Sequence, residues 1–154
     1  MQNSKSKTFA GLVKIILDIL FVLGIGCLIA SPLLMNKAIY LYTSERTAYL
    51  FNNILGLLIL SDLVILYVLY ELKKIFKSIK EGTPFIENNV KSLFRMGIAS
   101  CTLSLAFIYK LFVFKSFLTY FVILVLIIAG CFSFTLSELF KEAMRVKEEN
   151  DLTI

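Results

Sequence analysis

Two aspartates are the residues of this chain with the most chemistry open to them. Asp18 and Asp62 each interrupt an apolar run, where an ionisable side chain is expensive and marks a candidate functional site. Asp18 lies about nine residues from the polar start of the first run, and Asp62 about the same distance from the polar end of the second. At ~1.5 Å of helix rise per residue both come to lie ~13–15 Å from the same side. If they face each other, repulsion and desolvation make them share a proton or bind a cation, the chemistry of a proton- or ion-coupled carrier. The alternative is separate pairing: Lys14 stands one turn before Asp18, and Ser61, Ser100 and Ser104 can donate hydrogen bonds.

Other chemistry is excluded by composition. The chain has no histidine, which removes imidazole acid–base catalysis, Ser-His-Asp and Cys-His nucleophiles, and imidazole metal ligation. Cys27, Cys101 and Cys131 are isolated within apolar runs and read as small packing residues. With no metal-ligand cluster and no phosphate loop, the expectation is a protein that is not an enzyme and uses no metal or cofactor.

The elements that must carry the aspartates follow from hydropathy. Of 154 residues, 58% are hydrophobic, well above the ~45–50% of soluble domains, and they are gathered in blocks. About 20 residues cross a ~30 Å hydrocarbon core as a helix, which gives spans near 11–34, 49–71, 96–114 and 117–137. The last two divide one long block at Lys110, Lys115 and Ser116. The first run exceeds the ~7–15 residues of a signal-peptide core and is expected to stay in the protein. The predicted fold is a single all-α membrane domain of four transmembrane helices arranged as two hairpins. Tyr40, Tyr42 and Tyr49 fit the headgroup level of a short outside loop.

Orientation comes from the cations. With the N-terminus inside, twelve Lys and Arg lie on the inner side and four on the outer, so the positive-inside rule places both termini and the central loop in the cytoplasm. That loop, 72–95, is the long polar interruption between the two halves. Leu72, Ile75, Phe76 and Ile79 recur at helical spacing, with Lys73, Lys74, Lys77 and Lys80 on the remaining faces, so the second span is expected to continue as an amphipathic helix. Gly82 suits a helix C′ position, and Thr83-Pro84 suits an N-cap followed by proline at N1. A cytoplasmic helical hairpin results, with lysines for anionic lipid or for a soluble partner. It lacks the aromatic–basic interleaving of single-stranded nucleic-acid sites, and no direct nucleic-acid contact is expected. Gly24, Gly26 with Ala30, and Gly97 with Cys101 give small-residue spacing for close helix contact. The tail, 138–154, continues the fourth helix and ends in Glu148, Glu149 and Asp151, an acidic end expected to fold back on the hairpin lysines.

The stretch KKIFKSIKEGTPFIENNVKSLFRMGIA resembles the bacterial membrane family called domain of unknown function 2975. The likeness rests on Gly82, Pro84 and Phe85, the Glu87-Asn88 pair, and the Arg95 to Gly97 region. It rests also on the tail residues Glu138-Leu139-Phe140 and the Asp-Leu-Thr ending at Asp151, and covers essentially the whole chain. The resemblance implies a small four-span protein of the bacterial cytoplasmic membrane, with no catalytic residues to carry over. It implies a helix-turn-helix regulator as a possible cytoplasmic partner. The function expected is therefore a membrane-embedded interaction or regulatory protein, possible as a homo-oligomer. The alternatives are a carrier using Asp18 and Asp62, and a bacteriocin-type immunity or stress protein.

Overall fold

A computed structural model describes residues 2–41, 45–113 and 115–152 of the chain. They form four helices, α1 (Gln2–Leu41), α2 (Glu45–Glu81), α3 (Glu87–Val113) and α4 (Phe117–Leu152), and no strand among the described residues. Each holds a stretch long and apolar enough to cross a membrane: Gly11–Leu34, Ile54–Glu81, Glu87–Phe112 and Phe117–Asn150. Four helices are what apolar blocks of this length favour, because a helix satisfies its backbone hydrogen bonds within its own segment, as hydrocarbon demands.

Three helices end later than their apolar runs. α2 continues through the lysine-rich segment to Glu81, and α4 continues to Leu152. α1 also runs on, through Pro32 to Leu41, so the segment expected as an outside loop from residue 35 is largely helical. The side chains of Tyr40, Tyr42 and Tyr49 lie outside the described residues. Pro32 has no N–H to give the Leu28 carbonyl one turn back. Ser31 Oγ supplies the missing donor, reaching Leu28 O at 3.2 Å, which is how a proline is carried inside a membrane helix.

The α2–α3 connection is a turn with a glycine at its pivot. Gly82 has φ +84°, its N–H bonds to Ile79 O at 3.1 Å, and the Thr83 N–H reaches Ser78 O at 3.0 Å. These two bonds make a Schellman motif with Gly82 at C′, as its sequence position predicts. The expected start of the next helix needs correction. The Asn89 and Val90 amides, in the first turn of α3, both bond to Ile86 O, so Ile86 and not Thr83 occupies the N-cap. Residues 83–86 stay outside the helix, and the Phe85 ring lies 5.3 Å from that of Phe140 on α4. Glu87, at the start of α3, suits the positive end of the helix dipole.

Helix packs on helix in chain order, α1 on α2, α2 on α3 and α3 on α4. The densest packing is at the turn end. There Ile75, Leu93 and Met96 are buried, with Val68, Leu72 and Ile79 of α2 and Leu136 and Phe140 of α4 against them. α3 and α4 cross closely at glycines. A Cβ on Gly130 would stand 2.8 Å from Cys101 Sγ and 3.4 Å from Gly97 O, and one on Gly97 would be 2.6 Å from the Phe134 ring. α1 meets α2 at Gly24, whose Cβ would fall 2.9 Å from Leu66. Gly26, expected to share in such contact, has nothing within 4 Å. Leu12, Ile16, Val22, Leu23 and Leu33 of α1 are all exposed, a surface that suits lipid.

Candidate functional site

The polar residues at the turn end satisfy one another in three neighbouring groups of hydrogen bonds. Glu71, on the last turn of the apolar part of α2, is 1% exposed. Ser92 of α3 donates its hydroxyl to Glu71 Oε2 at 2.6 Å, and Lys74 Nζ donates to both carboxylate oxygens at 3.1 and 3.2 Å. Arg95 adds a guanidinium 3.7 Å from Oε1. Two turns further on, buried Asn89 donates its side-chain amide to Ser78 Oγ and to Pro84 O, while Ser78 donates to Ile75 O. Ser137 of α4 adds a separate bond beside them, donating to Val90 O at 2.9 Å. No buried side-chain polar atom among the described residues lacks a partner. A buried carboxylate is tolerable only when it is paired and its lone pairs are used. Here those partners come from both α2 and α3, so Glu71 fixes the rotation of one helix against the other.

Asp18 and Asp62 are not brought together. Asp18 pairs with Lys73 Nζ at 2.6 Å, and Lys73 also lies 4.8 Å from the centre of the Phe21 ring. With Gly24 against Leu66, this contact fixes an antiparallel register that sets Asp18 beside α2 eleven residues beyond Asp62. At ~1.5 Å per residue the two acids are separated by ~15 Å along the axis. Matched depth assumed that both apolar runs begin at the same level, whereas the first run starts alongside the lysines that follow the second. Asp62 is half-buried, and no described residue makes a hydrogen bond or ion pair with it. The register has a direct check. After the native cysteines are replaced by serine, Asp18→Cys with Lys73→Cys should be joined by a short thiol-specific crosslinker, and Asp18→Cys with Asp62→Cys should not. The opposite pattern would overturn it.

The remaining loop residues line a cleft between α2 and α3 of about 320 Å³, with Lys74, Lys77, Asn88, Asn89, Lys91 and Arg95 in its walls. Lys77 pairs loosely with Glu81 at 3.9 Å, and Lys91 pairs with Glu87 at 2.7 Å. Lys80 and Asn88 are exposed, and Gly82, Pro84 and Phe85 form the turn above them. The residues that sequence reasoning passed over are Glu71, Asn89 and Ser92. Asn89 rather than Asn88 faces inward because α3 begins at Glu87 and successive positions rotate by ~100°.

The tail is corrected as well. α4 runs on as one helix to Leu152, and its charges pair along it: Lys141 with Glu138, and Arg145 with Glu142 and Glu149. Glu148 is exposed, and the side chain of Asp151 lies outside the described residues. The i,i+3 and i,i+4 spacing within the tail supplies nearer partners than the loop lysines. The part of α4 that reaches the turn is apolar, Leu136 and Phe140.

The family model described as "Protein of unknown function (DUF2975)" matches residues 37–154. The match takes in α2, α3 and α4 and leaves most of α1 outside, a shorter reach than the whole-chain resemblance. No curated protein and no solved structure matches the chain.

Proposed function

Because the chain belongs to the DUF2975 family, whose members are described only as proteins of unknown function, we propose a role from the chain's own geometry. It is a multi-pass protein of the bacterial cytoplasmic membrane, set as two hairpins with both termini inside. It presents the α2–α3 turn and the α4 tail to a soluble regulatory protein, a binding role and not a catalytic one. The supporting observation is the hydrogen bonding around Glu71 and Asn89. A connection that merely reversed the chain would need no buried carboxylate and no buried amide. These two groups hold α2, the turn and α3 in one arrangement, and outside them stand the exposed Lys77, Lys80 and Asn88. A rigid basic surface suits a partner with an acidic face, and the twelve-to-four distribution of Lys and Arg sets that surface on the inner side. The carrier reading loses its premise, since Asp18 has its own cation and Asp62 lies far from it.

A photo-crosslinking residue at Lys80 or Thr83 tests this role. One discrete soluble protein should be captured, and the charge reversals Lys77→Glu and Lys91→Glu should abolish its capture. Capture that survives both reversals, or that occurs equally from Lys110 at the other end of α3, would refute it.

A further inference from the structure

The cleft between α2 and α3 has a chemistry of its own. Lys74 and Lys77 come from α2, Lys91 and Arg95 from α3, and Asn88 and Ser92 add an amide and a hydroxyl to the same walls. Four cations from two helices converge on about 320 Å³, against a single acid in the lining, Glu81. The acids that answer these cations are held in two different ways. Glu71 lies behind the cleft, its carboxylate divided between Lys74 and Arg95, so one negative charge serves two positive ones. Glu81 and Glu87 hold Lys77 and Lys91 through exposed one-turn pairs, which are worth only ~0–1 kcal/mol. An incoming anion can therefore take both lysines at little cost, while the buried Glu71 keeps the other two cations in place.

Depth identifies the anion. The apolar part of α2 ends at Tyr70 and that of α3 begins at Met96. Arg95, Lys74, Lys91 and Lys77 lie one, four, five and seven residues outside those limits, or ~1.5 to ~10 Å along the helices. A bilayer of ~40–45 Å around a ~30 Å core has ~5–7 Å of headgroup on each side, and the cleft spans that layer. We propose that it holds the phosphate of an anionic phospholipid, with Lys77 and Lys91 as the exchangeable cations and Arg95 at the hydrocarbon edge. The assignment rests on the membrane placement above but needs no protein partner, so the two can fail separately.

The test uses the full chain in nanodiscs of phosphatidylcholine with phosphatidylglycerol, followed by native mass spectrometry of the lipid retained. The wild-type chain should retain phosphatidylglycerol in preference to phosphatidylcholine. Lys77→Gln with Lys91→Gln should reduce that preference on the order of twentyfold, given the usual contribution of a surface lysine to anionic-lipid attraction. Both residues are exposed, so the fold should tolerate the change; Lys80→Gln, outside the cleft, should leave the preference intact. Equal retention of the two lipids by the wild-type chain would overturn the proposal. So would a Lys80→Gln loss as large as that of the double variant, which would mean a diffuse surface attraction. Displacement of the retained lipid by inorganic phosphate would assign the cleft to a soluble phosphate and would overturn the lipid assignment too.

Discussion

Lys74→Ala combined with Arg95→Ala should destabilise the chain by about 3–5 kcal/mol, the cost of stripping a buried charge of its partners. Glu71, 1% exposed in the intact chain, would keep only the Ser92 hydroxyl as a partner. Glu71→Gln alone should cost less, because a neutral amide needs no cation and still accepts from Ser92, while Lys74 and Arg95, at 42% and 52% exposed, turn to water. The decisive variant is the triple one. Adding Glu71→Gln to the double substitution should recover most of the loss, since the stranded charge is gone. Thermal unfolding in mild detergent, followed by loss of the monodisperse peak, reads all three. A triple variant as unstable as the two effects added together would show that Glu71 does not depend on these cations.

The second large effect lies where α3 crosses α4. Gly97→Ala should cost about 1–3 kcal/mol, the range for overfilling a packed interior. The new methyl would fall 2.6, 2.7 and 2.9 Å from three atoms of the Phe134 ring. The ring cannot move freely, because it is also packed 5.3 Å from the ring of Phe94. Gly26→Ala supplies the comparison. With nothing within 4 Å of it, the same substitution should be neutral or stabilise by up to about 1 kcal/mol through helix propensity. The two variants should shift the unfolding temperature in opposite directions, or at least by clearly different amounts; equal shifts would refute the close crossing.

Much of the fold is legible because it rests on local rules. Apolar runs of bilayer length are helices with few alternatives, and Gly82 sits where a positive φ costs least. The candidate site is legible only in outline. Lys74, Lys77 and Arg95 stand out as charges, but Glu71 reads as the first residue of a polar loop until α3 is laid against it. The choice between Asn88 and Asn89 needs the first residue of α3, and Thr83-Pro84 gives a misleading one because Phe85 is drawn to Phe140. The Asp18–Asp62 register failed for a related reason. Depth counted from the ends of apolar runs ignores how two helices slide on each other, which here is set by Gly24 on Leu66 and by the reach of the Lys73 side chain.

The neighbour-by-neighbour packing of the helices bears on how the protein is made. Each helix packs on its neighbours in the chain, α3 more extensively on α4 than on α2, so no segment leaving the ribosome must wait in the lipid for a distant partner. Assembly of this kind involves short-range contacts, which form fastest. α1, held among the described residues by α2 alone, is then the segment whose removal should least disturb the rest. The α4 contacts at the turn end are the last to be completed, because Ser137 bonds to Val90 only after α4 has been inserted. Until that moment α2 and α3 hold the buried carboxylate by themselves, and the arrival of α4 covers the turn with Phe140.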